Sequence, residues 1–420
     1  MIVRINNVAI LDESSVYHMQ RQNVTLEDGR IIEIGNNSSH ADLVVESGNL
    51  IATPGLFDMR VSFGDPGLEH KEDIESVSRA AIYGGITDIL AMPSTKPAVH
   101  SKDVIGYIKN KSVNTSANIH IAAAVTHDRL GKDLTEMIDL HHAGAVAFTD
   151  GDKPIWHPDI FLKSLQYLQT FDGLLIDHAE ELHLTHSGQM NESLQNTILG
   201  LKGIPKLAEE IAVERNLSIL EYTGGRLHFA HISSPKSLEK IRMAKSKGLR
   251  VTCDISVHHL VLDDTFLQTF DTNYKINPPL REKQDILHFW EAIADDTIDV
   301  IVSDHNPQDE ESKNLEFDLA EFGILGLETL FPLLNTYKPD HIPLHSILKK
   351  ISTVPRNLLK LQVPPLKEGA MACLTLFDPD IEWEYSAKDI KSKSRNTPYV
   401  GTKFKGKIIG VVNKGKVYIN

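Results

Sequence analysis

Four residues in the middle of the chain have the types and the setting for hydrolytic chemistry: Asp150, His178, His231 and Asp304. Each ends a short apolar run that reads as a buried strand. The runs are Gly144-Ala-Val-Ala-Phe-Thr-Asp, Gly173-Leu-Leu-Ile-Asp-His, Leu227-His-Phe-Ala-His and Val300-Ile-Val-Ser-Asp. Imidazole and carboxylate together suit a divalent ion such as zinc. A carboxylate beside such an ion can also carry a proton. A lone histidine at a strand end is more often a hydrogen-bonded core residue. Four such residues, from four strands, point instead to a site. A fifth strand, Leu56-Phe-Asp-Met-Arg-Val-Ser, adds Arg60 and Ser62, which share a face because they are two residues apart.

The elements that must position these residues follow from the apolar pattern. Ile86-Thr-Asp-Ile-Leu-Ala-Met, Ile119-His-Ile-Ala-Ala-Ala-Val and Leu249-Arg-Val-Thr-Cys-Asp complete a set of eight buried parallel strands. Helical stretches separate them, such as Ser234-Pro-Lys-Ser-Leu-Glu-Lys-Ile-Arg-Met-Ala-Lys, with Gly248 just beyond. Eight alternations over roughly 300 residues specify an α/β fold, a (β/α)8 TIM barrel, whose site lies at the C-terminal ends of the strands. Residues 53–362 are assigned to it. Residues 1–52 and 363–420 carry alternating strands between Gly and Asn turns. They are expected to pair into one small β-rich domain, a β-sandwich.

Composition excludes several alternatives. The chain has 420 residues, 43 basic and 57 acidic, with a net charge of −14 and 20 histidines. The acidic balance argues against a nucleic-acid face, which needs clustered Lys and Arg. No run approaches the about 20 apolar residues of a membrane helix, so no membrane association is expected. Cys253 and Cys373 form no CxxC motif, and the first residues have no signal-peptide layout, so a cytoplasmic location is expected.

The chain resembles the cyclic amidohydrolases and, within them, the dihydroorotases, over roughly residues 50–412. The markers include Ala52-Thr-Pro-Gly-Leu-Phe-Asp-Met, Asp65-Pro-Gly, Met92-Pro-Ser-Thr-Lys-Pro, Asp177-His-Ala-Glu, Asn277-Pro-Pro-Leu-Arg and Ser303-Asp-His-Asn-Pro. The resemblance implies a metal-bound hydroxide that opens the ring of dihydroorotate to N-carbamoyl-L-aspartate, reversibly. It makes Asp304 the catalytic proton carrier and His178 and His231 metal ligands. It makes Asp150 a carboxylate that bridges metals, and Asn277 a contact to the substrate ring.

Five positions depart from that pattern. The family's first strand carries His-x-His and then Arg; here these are Arg60, Ser62 and Gly64. Its Met-Pro-Asn-Thr reads Met92-Pro-Ser94-Thr, and its Asp-His-Ala-Pro-His ends in Gln308. Arginine has no lone pair to give a metal. Arg60 is therefore expected to pair with Asp304 or Asp150 and to stand in for the metal's charge. The groups that hold the substrate carboxylate in the family are lost together. The sequence reading is accordingly a non-catalytic dihydroorotase-like protein of pyrimidine biosynthesis, structural or regulatory, without bound zinc. The resemblance offers aspartate transcarbamoylase as its partner, and a homodimer. The alternatives are an active dihydroorotase with one zinc held by the remaining ligands, and a hydrolase of another cyclic amide. His258 and His259 are read as scaffold, and His141, His142, His183 and His186 as surface.

Overall fold

The computed structural model describes residues 1–35 and 40–420. Five strands open the chain: β1 (Ile2–Ile10), β2 (Arg21–Glu27), β3 (Arg30–Gly35), β4 (Leu43–Val45) and β5 (Ile51–Pro54). Three close it: β16 (Leu374–Glu384), β17 (Lys403–Asn413) and β18 (Lys416–Ile419). They form one mixed sheet, in which β5 runs antiparallel to β16 with Pro54 opposite Leu374. Val3 and Ile5, then Val8 and Ile10 after a register shift, face inward from β1 and meet Leu374 and Leu376 in a core of their own.

Between these ends lie the eight barrel strands. They are β6 (Leu56–Val61), β7 (Ile86–Ala91), β8 (Asn118–Ala123), β9 (Ala145–Phe148), β10 (Leu175–Asp177), β13 (Leu227–Phe229), β14 (Val251–Ser256) and β15 (Val300–Val302). All are parallel and follow one another in sequence order. A bridge between Val61 and His305, just past β15, brings the last strand beside the first, so the barrel is nearly closed. A short pair, β11 (Met190–Asn191) and β12 (Gly203–Ile204), sits in the excursion after β10. The apolar runs of the sequence are thus the barrel strands, because a strand covered on both faces has no polar side to alternate with. Helices pack outside. That at Pro235–Ser246 starts after Ser234 with Pro235 in its first turn, as the Ser-Pro pair predicts.

Phe57, Met59, Leu90, Met92, Ala122, Ala147, Ile176, Val300 and Val302 fill the barrel interior. Near its base, the buried Arg356, on the helix Thr353–Leu358, bonds Asp88 of β7 at 2.5 Å and the carbonyl of Gly55 at 2.6 Å. His120 bonds the same carboxylate at 2.9 Å. Among the described residues no helix is long and apolar enough to cross a membrane.

Candidate active site

β6 delivers the first residues. Phe57 and Met59 point into the barrel core, yet Arg60 and Ser62 line the cavity at its mouth. The alternation slips because the β6–β7 register shifts between Asp58 and Val61, which turns the strand end. Arg60 is buried, with Nε donating to Asp304 Oδ1 at 2.9 Å and Nη2 to the Gly151 carbonyl at 3.2 Å. Among the described residues its Nη1 meets only the Met92 sulfur, at 3.9 Å. Ser62 and Ser94 share a hydroxyl contact at 3.3 Å. Of the two carboxylates expected for Arg60, the guanidinium bonds Asp304.

The strands end sooner than the apolar runs suggest, so the chemistry-bearing residues stand just past them. His231 and Asp304 have φ of 37° and 52°, left-handed values that break the ladder. Such strain in non-glycine residues concentrates at functional sites. Here it lets the side chains meet. Asp304 Oδ2 contacts His231 Nδ1 at 3.2 Å, His231 Nε2 contacts His178 Nδ1 at 2.8 Å, and His178 Nε2 contacts Glu180 Oε2 at 2.7 Å. The result is a continuous line from Glu180 to Arg60. Two neutral imidazoles supply two N–H groups to these three contacts, so a third proton completes the line.

The electrostatics follow from burial and from the guanidinium. Burial, then Arg60, pushes His231 down to about 4, so its imidazole is neutral at neutral pH. Burial alone would raise Asp304; His231, as a hydrogen-bond donor, and then the Arg60 charge outweigh it and hold the carboxyl well below the usual range. Glu180 is likewise lowered, because the bond and charge of His178 overcome its burial. Asn277 donates to Glu180 Oε2 at 3.1 Å, which fixes that carboxylate at the rim.

Asp150 stands apart from this line. Its oxygens accept from the N–H groups of Val125 and Thr126, at 2.9 and 3.0 Å, and from the Thr126 hydroxyl. His258 bonds the Tyr399 hydroxyl at 2.8 Å, and His259 donates to the Pro279 carbonyl at 3.2 Å. Both are buried, whereas His141, His142, His183 and His186 are exposed.

Burial lowers His258 to about 4 and His259 to about 3. Their neutral form is favoured only in the folded state, so the unfolded chain binds protons first as pH falls. The stability they contribute is full above pH 6.5 and lost as pH falls through about 4 and 3. Replacing His259 with Gln keeps a donor for Pro279 and removes one such proton. The fall in urea midpoint between pH 6.5 and 4 is expected to become shallower, as measured by unfolding curves at each pH.

Whether the residues present fit a divalent ion is decided by the same geometry. Arg60 occupies Asp304 and brings a fixed positive charge to it, the two imidazoles bond each other, and Asp150 is spent on two backbone N–H groups and the Thr126 hydroxyl. Among the described residues no group of three His, Cys, Asp or Glu side chains is arranged to hold a metal ion. The donor set as it stands does not fit zinc.

The cavity, of about 270 Å³, is also lined by Lys71, Arg129 and Gln308. Sequence reasoning missed Lys71 and Arg129. Lys71 lies in a turn and Arg129 ends a single 3-10 turn, His127–Arg129, and segments so short carry no periodicity that marks a side chain as inward-facing. Gln308, which the family pattern marks only as a lost histidine, accepts a hydrogen bond from Lys71 Nζ at 2.5 Å.

Comparison with known proteins sets this site in context. L-Hydantoinase (dihydropyrimidinase) from Arthrobacter aurescens shares the architecture with a TM-score of 0.86 at 23% identity, over 99% of this chain and 95% of that one. D-Hydantoinase from a Thermus species does so at 0.81 and 21% identity, over 100% and 95%. At that identity the likeness defines the class of fold, a TIM barrel carrying an extra sheet. Residues 48–237 match the family described as Dihydro-orotase-like. Dihydroorotases from Geobacter sp. (strain M21) and Acetivibrio thermocellus are each 39% identical to this chain, over 94% of it and 94% of their own length. The chain belongs to the dihydroorotase family.

These relatives correct the expectation of a non-catalytic, structural or regulatory protein. Proteins named as enzymes share nearly two-fifths of its residues along nearly its whole length. The five altered positions misled because each was weighed as a loss. In the folded chain Arg60 bonds Asp304, and Gln308 holds Lys71, so the altered positions leave a charged, organised pocket.

Proposed function

We propose that this chain is an active dihydroorotase, which opens the cyclic amide of dihydroorotate to N-carbamoyl-L-aspartate and closes it in the reverse direction. The observation that carries this reading is 39% identity, over 94% of both chains, to proteins named dihydroorotase. The pocket supports it. Hydrolysis needs a water attacking the ring carbonyl, a base for its proton, a donor for the oxyanion, and a proton for the leaving nitrogen. Asp304 takes the water proton and returns it to the nitrogen as the C–N bond breaks. Arg60 Nη1, which among the described residues has only a thioether against it, is the donor left for the developing oxyanion. The His231–His178–Glu180 line holds Asp304 in place. No step is routed through a metal, because the donor set does not fit one.

The guanidinium has a cost for rate. It keeps Asp304 ionised at neutral pH but also makes it a weak base, so turnover is expected to be slow. The free, buried Cys253 and Cys373 support work in a reducing compartment such as the cytoplasm.

The test is a ring-opening assay on the purified protein, with dihydroorotate and with dihydrouracil, with and without added zinc. Turnover of dihydroorotate is expected in both metal conditions. Its absence in both overturns the reading. Turnover of dihydrouracil alone would make this chain a hydrolase of another cyclic amide.

A further inference from the structure

Two cations that the sequence did not single out, Lys71 and Arg129, line the cavity together with Gly64, Ser94 and Gln308, three positions at which the family resemblance implies carboxylate-holding groups that this chain lacks. Gly64 has φ of 72°, and a Cβ there would lie 2.6 Å from the Leu68 carbonyl oxygen. No side chain fits at 64. The chain instead turns tightly, with Leu68 N–H donating to Gly64 O at 2.6 Å and Lys71 N–H to Leu68 O at 2.9 Å. That turn carries the Lys71 ammonium to Gln308 Oε1, at 2.5 Å. Gln308 is itself fixed, since its Nε2 donates to Phe322 O at 3.0 Å and Asn306 Oδ1 at 3.2 Å. A lysine therefore reaches, by way of Gln308, the place where the family pattern has a histidine.

Arg129 comes from the opposite side. It and Asp128 have left-handed φ values of 58° and 51°, two strained residues in a row. Arg129 Nη1 bonds Asp152 and the Asp150 carbonyl, while its buried Nε has no hydrogen-bond partner among the described residues. The Asp152 carboxylate already meets the Arg129 charge, so what stays open is the buried Nε donor, which is costly to leave unmade and which an incoming acceptor would satisfy.

We infer that Lys71 and Arg129 form a relocated carboxylate anchor, which binds the carboxylate of a ring-opened or cyclic ureido acid at the barrel mouth. This rests on the proposed dihydroorotase reading for the identity of the ligand, and deepens it by naming what confers specificity. Lys71 supplies the strong, mobile ammonium, and Arg129 the fixed planar donor. Both are specificity-determining residues and neither takes part in the proton transfers.

The experiment measures binding by calorimetry, which does not depend on turnover, for two probes. N-carbamoyl-L-aspartate carries the carboxylate in question, and N-carbamoyl-β-alanine lacks it. Wild type is expected to prefer the first. Lys71→Met and Arg129→Met are each expected to weaken its binding by about 10- to 100-fold, the range for one charged hydrogen bond. Neither should change binding of the second probe, which also reports that the variants remain folded. Lys71→Arg should restore most of the affinity. Unchanged N-carbamoyl-L-aspartate binding in both Met variants overturns the anchor, even if wild type turns dihydroorotate over. Selective binding that is lost in those variants, in a protein without turnover, upholds the anchor while the catalytic reading fails. Binding of neither probe by wild type overturns the anchor.

Discussion

Asp304→Asn is expected to lower kcat for ring opening by about 10²- to 10⁴-fold, the range that a positioned proton carrier contributes. The substitution is nearly isosteric. Its amide oxygen can still accept from Arg60 Nε, now at 2.9 Å from Oδ1, so the guanidinium keeps a partner. What is lost is the negative charge and the ability to take the water proton. KM should move little, because the substrate carboxylate is assigned to Lys71 and Arg129. That pattern, a fall in kcat with KM held, marks a group that acts in the transition state. Steady-state kinetics on dihydroorotate, with the wild type measured alongside, reads it directly. A variant that keeps the wild-type rate would remove Asp304 from the reaction. A variant with raised KM and unchanged kcat would instead make Asp304 a binding group. The same data test Arg60, since a base held low by a neighbouring cation should become stronger once the cation goes. Arg60→Met is therefore expected to raise the pH at which Asp304 titrates in the pH–rate profile, and to reduce oxyanion stabilisation.

The largest expected effect on stability lies at the other end of the barrel. Arg356→Met should destabilise the protein by about 3–5 kcal/mol, the usual cost of removing one partner from a buried ion pair. Arg356 is 1% exposed, and its guanidinium makes four hydrogen bonds, to Asp88, Thr87, Gly55 O and Ser352 O. It also lies over the Phe57 ring, 5.4 Å from the centroid. Methionine of similar length fills much of the space but satisfies none of these acceptors. Asp88 would then be a buried carboxylate whose charge is supported by His120 and neighbouring donors alone. Burial alone would raise this group, and Arg356 first, then His120, hold it well below the usual range. Its loss of support should appear as a lower urea midpoint. Adding Asp88→Asn to Arg356→Met removes the unpaired charge, so the double variant is expected to be more stable than Arg356→Met alone. A double variant equally destabilised would mean that the carbonyl bonds, and not the charge pair, dominate.

The eight barrel strands were legible because burial on both faces writes itself as continuous apolar runs. The order of the site residues was legible too, since a barrel places strand ends at one mouth. Arg60, Ser62, Gly64, Ser94 and Gln308 could be read as departures from a family pattern, and Arg60 could be assigned a carboxylate on charge alone. The step from those departures to an inactive protein was not licensed by the letters. A sequence shows which group has gone, but not which group from elsewhere has arrived.

The amino-acid sequence by itself thus determined the barrel, the terminal strands, and a mouth with histidine and carboxylate on it. Only the tertiary structure decided that Arg60 takes Asp304, because a register slip in β6 re-aims the strand end. Only the tertiary structure joined Lys71 to Gln308, 237 residues away along the chain. Local patterns encode local periodicity, whereas a contact between two loops depends on the closed path of the chain between them. At Gly64 that path is set by a residue whose contribution is the side chain it lacks.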